Sequence, residues 1–232
     1  MSIESNLAHL RERIAAAAKR SGRKAEDITL VAVSKYSGID DVLEAARYGQ
    51  RVFAENRVQM LREKWDALQA MPPESVPEIT WHMIGQLQTN KVKYIVGRVA
   101  LIHSVDSLHL AEEIARQSEK KGITSDILLE VNISGEESKS GIAHEEIGAF
   151  MEHFTDLSHI RLRGLMTMAP KGAPEPQLHK IFSGLREIFL DKQWENMHNI
   201  EMTYLSMGMS ADFECAIEEG ANMIRVGHGI FL

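Results

Sequence analysis

Short apolar runs alternate with amphipathic segments along nearly the whole chain. The first segment, from Ser5 to about Arg20, carries apolar residues at helical spacing and predicts an amphipathic helix. The next, ITLVAVSKYS from Ile28 to Ser37, is an apolar, β-branched run that predicts a buried strand ending at Lys35. Seven further strands are predicted at 51–54, 80–84, 100–104, 125–133, 161–168, 201–205 and 222–226. A helical segment follows almost every strand, and Ser210 is expected to cap the helix ADFECAIEE.

This order of elements predicts the fold class. Strands that alternate with helices pair in parallel through right-handed crossovers. Eight such units in 232 residues predict an α/β fold, a single (β/α)8 or TIM barrel over residues 1–232, with one extra helix before it. The alternative is a doubly wound open sheet. That fold usually has a glycine-rich turn after its first strand, whereas the turn SKYSGID contains one glycine.

Composition narrows the class of protein further. The chain is 44% hydrophobic and 25% charged, as in ordinary globular domains, and its net charge of −7 argues against nucleic acid or an anionic membrane as the main partner. The one cysteine, Cys215, cannot form an internal disulfide, and no zinc-type spacing of cysteine and histidine occurs, so we expect no metal site. Without a signal-like start or an apolar run of about 20 residues, we expect a cytoplasmic protein.

Lys35 is the first candidate for chemistry. An amine at the end of a buried strand is either a solvated cap or a reactive group, and most strand-end charges only face water. In a (β/α)8 barrel, however, active sites lie at the carboxyl ends of the strands. The strand itself therefore leaves both interpretations of Lys35 open.

Two small-residue loops change that balance. Phosphate often binds after strands seven and eight of such barrels. Here the sequence LSMGMS (205–210) follows the seventh strand and RVGHG (225–229) follows the eighth. Glycines let backbone N–H groups approach an anion, and Ser206 and Ser210 add hydroxyls. Either loop alone would be explained by turns and a helix cap, but the pair favours an anion site.

A phosphate site beside a lysine indicates pyridoxal 5′-phosphate (PLP). This cofactor offers an aldehyde to the amine of Lys35, as a Schiff base, and a phosphate to the two loops. Arg225 ends the eighth strand and could face the pyridine nitrogen, where a permanently protonated guanidinium can only donate. The alternative for Arg225 is a salt bridge within the barrel.

Six motifs extend this argument to nearly the whole chain. They are VSKY around Lys35, FAENRVQ (53–59), WHMIGQLQTNK (81–91), GLMTMAP (164–170), LSMGMSADFECAI (205–217) and IRVGHGIF (224–231). Together and in this order, they resemble the pyridoxal phosphate homeostasis protein family. The resemblance implies a barrel of the alanine racemase N-terminal domain type with the cofactor on Lys35. It also implies contacts to the cofactor from Asn56, His82, Met166, Ser206, Arg225, Gly227 and His228. His228 stands where the family usually has a hydroxyl residue.

The resemblance implies a PLP carrier involved in intracellular vitamin B6 homeostasis, which buffers the cofactor or delivers it to PLP-dependent apoenzymes.

The alternative is an amino-acid racemase, which needs an acid or base on each face of the substrate. The chain stops soon after Val226, so we expect the second domain that completes alanine racemase to be absent. If Lys35 points into the pocket, Tyr36 is expected to point away from it, while Tyr204 stays a candidate base. A third possibility is a barrel that binds another phosphorylated metabolite in place of PLP. If Lys35 were not the reactive amine, Lys139 would be the next to test. Oligomeric state is left open.

Overall fold

Eight parallel strands close into a barrel in the order of the sequence. The computed structural model describes residues 2–136, 140–195 and 197–232. Each strand pairs with its neighbours along the chain, and β8 pairs with β1 to close the sheet. The predicted (β/α)8 barrel is therefore confirmed, and the open sheet is excluded. The strands are β1 Thr29–Val33, β2 Val52–Glu55, β3 Thr80–Met83, β4 Leu101–Val105, β5 Ser125–Glu130, β6 Ile160–Met166, β7 Ile200–Met209 and β8 Met223–Val226.

Helices surround the barrel, and the predicted extra helix precedes it as α1. The helices are α1 Ile3–Arg20, α2 Ile39–Arg47, α3 Val58–Gln69, α4 Leu108–Lys120, α5 Ile147–Phe154, α6 Glu175–Phe189, α7 Phe213–Glu218 and α8 His228–Phe231. Short 3-10 helices cover Ala25–Asp27, Pro73–Ser75, Thr89–Tyr94, His144–Glu146 and Lys192–Trp194. Within the described ranges, no helix is long and apolar enough to cross a bilayer.

Alternation along the strands separates two apolar clusters. Because successive strand residues face opposite sides, one set of side chains fills the barrel and the other packs against the helices. A small buried cluster takes one residue from each of six strands and marks the interior. Its members are Val31, Ala54, Leu101, Leu128, Met166 and Met223. The larger cluster joins the outer faces of the strands to the helices. The interior cluster shows which way the polar strand residues point.

Several predicted boundaries were wrong. β1 ends at Val33, so Lys35 lies in the following turn and not on the strand. The β7 strand continues through the stretch 206–209, which we expected to be a loop, because a register shift and a positive φ of 90° at Gly208 let it stay paired. Helix α7 begins after Asp212, whose carboxylate accepts the N–H of Met209, so Ser210 is not its cap.

Candidate functional site

A cavity of about 640 Å³ opens at the carboxyl ends of the strands. Its wall comes from the ends of β1, β2, β3, β5 and β8 and from the segments after β6 and β7. The lining residues are Val33, Lys35, Tyr36, Ser37, Asn56, Ile84, Gly85, Gln86, Glu130, Ser140, Met168, Lys171, Met209, Ser210, Arg225, Gly227, His228, Phe231 and Leu232. Residues far apart in sequence thus meet at the mouth where this fold builds its active sites.

Lys35 stands at the edge of this cavity in a tight turn. The N–H of Ser37 closes the turn on the carbonyl of Ser34 at 2.9 Å. The Lys35 side chain is exposed, and its Nζ lies 5.0 Å from the centre of the Tyr36 ring. Tyr36 also lines the cavity, so the expectation that it points away was wrong. Strand alternation does not apply to two residues in a turn.

A buried group of three residues, the Ser34 ion cluster, holds this turn from below. It consists of Ser34, Glu55 at the end of β2 and Lys64 on α3, all buried. The Lys64 ammonium donates to the carbonyl of Ser34 at 2.7 Å and to the Glu55 carboxylate at 2.5 Å. The Ser34 hydroxyl donates to the same carboxylate at 2.7 Å. The backbone immediately before Lys35 is therefore fixed by a buried charge pair.

Arg225 forms part of the cavity floor. Met223 faces the barrel interior, and Arg225, two residues further along β8, faces the same way. Its guanidinium donates to the Ser206 hydroxyl and, at 2.8 Å, to the carbonyl of Thr167. Burial lowers the pKa of Arg225 to about 10, so the side chain stays protonated at neutral pH. The floor therefore presents a fixed cation with further N–H groups to donate.

Gly227 lies directly against the end of β1. A Cβ at this position would come within 2.7 Å of the Val33 carbonyl oxygen, so a larger residue would separate the two strand ends. The short helix α8 begins immediately after it. The N–H groups of His228 and Gly229 fall in the first turn of α8, where no earlier helical carbonyl can accept them. Gly227 and His228 line the same cavity as Lys35.

Glu130 is a cavity residue that the sequence analysis missed. It is the last residue of β5, it points into the barrel mouth, and it is 3% exposed. Burial raises the pKa of its carboxyl to about 7, with a further rise from Asp106, against a smaller lowering by Arg225. Its position at the end of a barrel strand was the available signal. The cavity therefore contains an acid that titrates near neutrality.

The structure brings five of the eight predicted site residues to the cavity and three to other positions. Lys35, Asn56, Arg225, Gly227 and His228 line it. Met166 is fully buried in the interior cluster below it. His82 and Ser206 are also buried and do not line the part of the cavity that the structure describes. Ser206 accepts a hydrogen bond from Arg225 of the cavity floor, and His82 contacts His103.

Tyr204 and Lys139 were the other two candidates. Tyr204 lies in the middle of β7 with its ring near Arg163, away from the described cavity wall. Lys139 falls outside the described residues. In the part of the chain that the structure covers, no group of three or more histidine, cysteine or acidic side chains could hold a metal ion.

Comparison with known proteins agrees with this fold. The family described as "Alanine racemase, N-terminal domain" matches residues 5–232. A pyridoxal phosphate homeostasis protein of Aquifex aeolicus is 39% identical over 231 residues, which is 100% of this chain and 98% of that protein. The protein of the same name from Escherichia coli is 37% identical over 229 residues, 99% of this chain and 95% of its own length.

A solved structure is similar over the full length. PipY of Synechococcus elongatus, determined with PLP bound, has a TM-score of 0.85 and 33% sequence identity, and the match covers 100% of both chains. The fold and the family match define a barrel of the alanine racemase N-terminal type. The chain belongs to this family and, within it, to the pyridoxal phosphate homeostasis proteins.

Proposed function

We propose that this protein binds PLP as a Schiff base on Lys35 and serves intracellular PLP homeostasis by holding the cofactor, without substantial catalysis. The observation that carries this proposal is the convergence of an amine, a buried arginine and the segments after β7 and β8 on one cavity. The names of the relatives and the PLP-bound structure of PipY support the same ligand.

The residues around the cavity fit such a ligand. Lys35 supplies the amine, and its exposure leaves it open to an incoming aldehyde. The N–H groups at the start of α8 and the hydroxyl of Ser210 suit a phosphate, next to a glycine position that a Cβ would obstruct. Arg225 suits the ring nitrogen, because a protonated guanidinium donates to it.

Arg225 also supports a holding role. Bound PLP supplies an electron sink, which is strongest when a carboxylate keeps its ring nitrogen protonated. A guanidinium that stays charged at neutral pH has only donors, so it cannot accept a hydrogen bond from a protonated ring nitrogen.

The exposed Lys35 at an open rim also favours exchange of the ligand with solvent. Apoenzymes that need PLP are the partners we propose for the released cofactor. The single cysteine, Cys215, supports a cytoplasmic setting.

Replacing Lys35 tests the assignment directly. We expect purified protein incubated with PLP to show a near-visible absorption band that borohydride fixes onto one lysine, identified by peptide mass spectrometry. Lys35→Ala should lose the band and the fixed label. Lys171→Ala is the matched control, because Lys171 lines the same cavity and should leave both signals unchanged. A label that persists in Lys35→Ala would refute the assignment.

The racemase alternative has its own support. Tyr36 and Glu130 both line the cavity and could move protons. Interconversion of L- and D-amino acids at ordinary enzyme rates by the PLP-loaded protein would overturn the holding role while leaving the assignment of Lys35 in place.

Delivery of the cofactor is checked by mixing loaded protein with a PLP-dependent apoenzyme. We expect the apoenzyme to recover more activity with the loaded parent protein than with a mixture of PLP and the Lys35→Ala variant.

A further inference from the structure

Four buried side chains cross the barrel interior just below the cavity. Arg225 on β8 donates to the hydroxyl of Ser206 on β7 at 2.5 Å. The Ser206 Oγ lies 3.1 Å from Nδ1 of His103 on β4, and Nε2 of His103 lies 3.0 Å from Nδ1 of His82 on β3. All four residues are 5% exposed or less. We call this chain of contacts the arginine relay.

The chemistry of Arg225 sets the direction of the relay. A guanidinium has only donors, so the oxygen of Ser206 accepts in the first contact. The hydroxyl proton of Ser206 is buried and needs an acceptor of its own. Among the described residues, the remaining partner of Ser206 Oγ is Nδ1 of His103. Ser206 therefore donates to His103.

The same reasoning fixes both histidine tautomers. If Nδ1 of His103 accepts, a neutral His103 carries its proton on Nε2, which donates to Nδ1 of His82. His82 then carries its proton on Nε2. Burial lowers the pKa of His82 to about 4, and it lowers the pKa of His103 well below its usual value. Both rings are therefore neutral at physiological pH.

We propose that Ser206 and His103 are positioning residues that fix the orientation of the Arg225 guanidinium at the cavity floor. The carbonyl of Thr167 supplies one attachment point, and one contact leaves the plane free to turn about it. Ser206 supplies the second attachment point for the guanidinium. His103 accepts the hydroxyl proton of Ser206, and this leaves the Ser206 oxygen free to accept from Arg225. His82 ends the relay and stabilises the tautomer of His103. This inference rests on the proposed function only in naming PLP as the ligand that Arg225 faces.

It also changes the roles that the family resemblance implies for two residues. Ser206 and His82 act through Arg225 in this account, without touching the ligand. The phosphate is left to Ser210, Gly227 and His228, which line the cavity. Variants of Ser206 should therefore alter the environment of the ligand ring more than the hold on the phosphate.

Histidine tautomers can be measured without any cofactor. In long-range 15N NMR spectra of protein labelled with 15N-histidine, we expect His82 and His103 to show the neutral Nε2–H pattern from pH 5.5 to pH 8. In Ser206→Ala, His103 loses its proton donor, so its Nδ1 signal should shift, whereas Ser118→Ala should leave it unchanged. Ser118 is an equally buried serine on α4. An Nδ1–H pattern or protonation of His103 in the parent protein would overturn the relay.

Ligand binding supplies the second measurement. Ser206→Ala should weaken PLP affinity roughly tenfold, because a hydrogen bond to a charged group is lost. The absorption maximum of bound PLP should shift and vary more with pH. Ser118→Ala should match the parent protein in both readouts. Parent-like affinity and spectrum in Ser206→Ala would overturn the positioning role. If the parent protein itself binds no PLP, the proposed function fails, while the tautomer measurement still decides the relay.

Discussion

At the residue scale, the surroundings of each cavity group decide its chemistry. Lys35 is exposed in a turn, whereas Arg225 and Glu130 are nearly fully buried at the ends of β8 and β5. Burial lowers the pKa of the arginine and raises that of the acid, since both charged forms lose hydration. The cavity thus combines an accessible amine with a buried cation and a buried acid.

Glu130 gives a prediction about pH. Its carboxyl pKa rises from 4.5 to about 7, so between these values the folded protein keeps a proton that the unfolded chain has released. The contribution of Glu130 to the free energy of unfolding is therefore fully present below about pH 4.5 and is lost as the pH rises through 7. In Glu130→Gln this loss, on the order of a few kcal/mol, should disappear. Urea unfolding of cofactor-free protein at several pH values measures it.

The control for this experiment is Glu145→Gln, which changes an exposed carboxylate. Its pH dependence of stability should follow that of the parent protein. If Glu130→Gln and Glu145→Gln give the same pH profile, the acid of Glu130 does not titrate as described.

At the element scale, the ends of strands and helices place the site. β7 runs four residues further than its small-residue sequence predicts, and this brings Ser206 inside the barrel to Arg225. Helix α3 reaches the turn that holds Lys35 through Lys64 of the Ser34 ion cluster. In that cluster one Glu55 oxygen, Oε2, has no hydrogen-bond partner within the described chain. Glu55 therefore depends strongly on Lys64.

We expect Lys64→Met to destabilise the protein by about 3–5 kcal/mol, because it leaves the Glu55 charge buried without its partner. The double variant Glu55→Gln with Lys64→Met should recover much of that loss. Lys180→Met, at an exposed position on α6, should stay within about 0.5 kcal/mol of the parent. Denaturant midpoints measure all three, and a double variant no better than Lys64→Met would contradict this account.

At the scale of the whole molecule, α1 covers the place where the barrel closes. It packs against α2, α7 and α8, next to the seam between β1 and β8. Arg13 pairs with Glu214 on α7 at 2.9 Å, and Leu7, Leu10 and Ile14 are buried beneath the helix. The first and last elements of the chain therefore stabilise each other.

Leu7→Ala tests this closure, since Leu7 is fully buried although it lies near the start of the chain. Loss of the side chain should lower the free energy of unfolding by about 2–5 kcal/mol. Leu190→Ala, at a position that is 59% exposed, should change it by less than about 0.5 kcal/mol. Calorimetric melting of cofactor-free protein compares them, and equal small effects would show that α1 contributes little.

The sequence by itself determined the barrel and the extra helix, and it placed Lys35, Arg225 and the segment after β8 near strand ends, whereas the prediction for Asn56 came from the family resemblance. Hydrophobic periodicity reports which faces are buried, and in a (β/α)8 barrel the ends of successive strands must converge at one mouth. Only the tertiary structure decided where individual side chains point. It alone turned Tyr36 toward Lys35, brought Glu130 into the cavity and joined His103 to Ser206. These contacts link residues on different strands or in a turn, where register and bulges set direction, and local pattern carries no record of them.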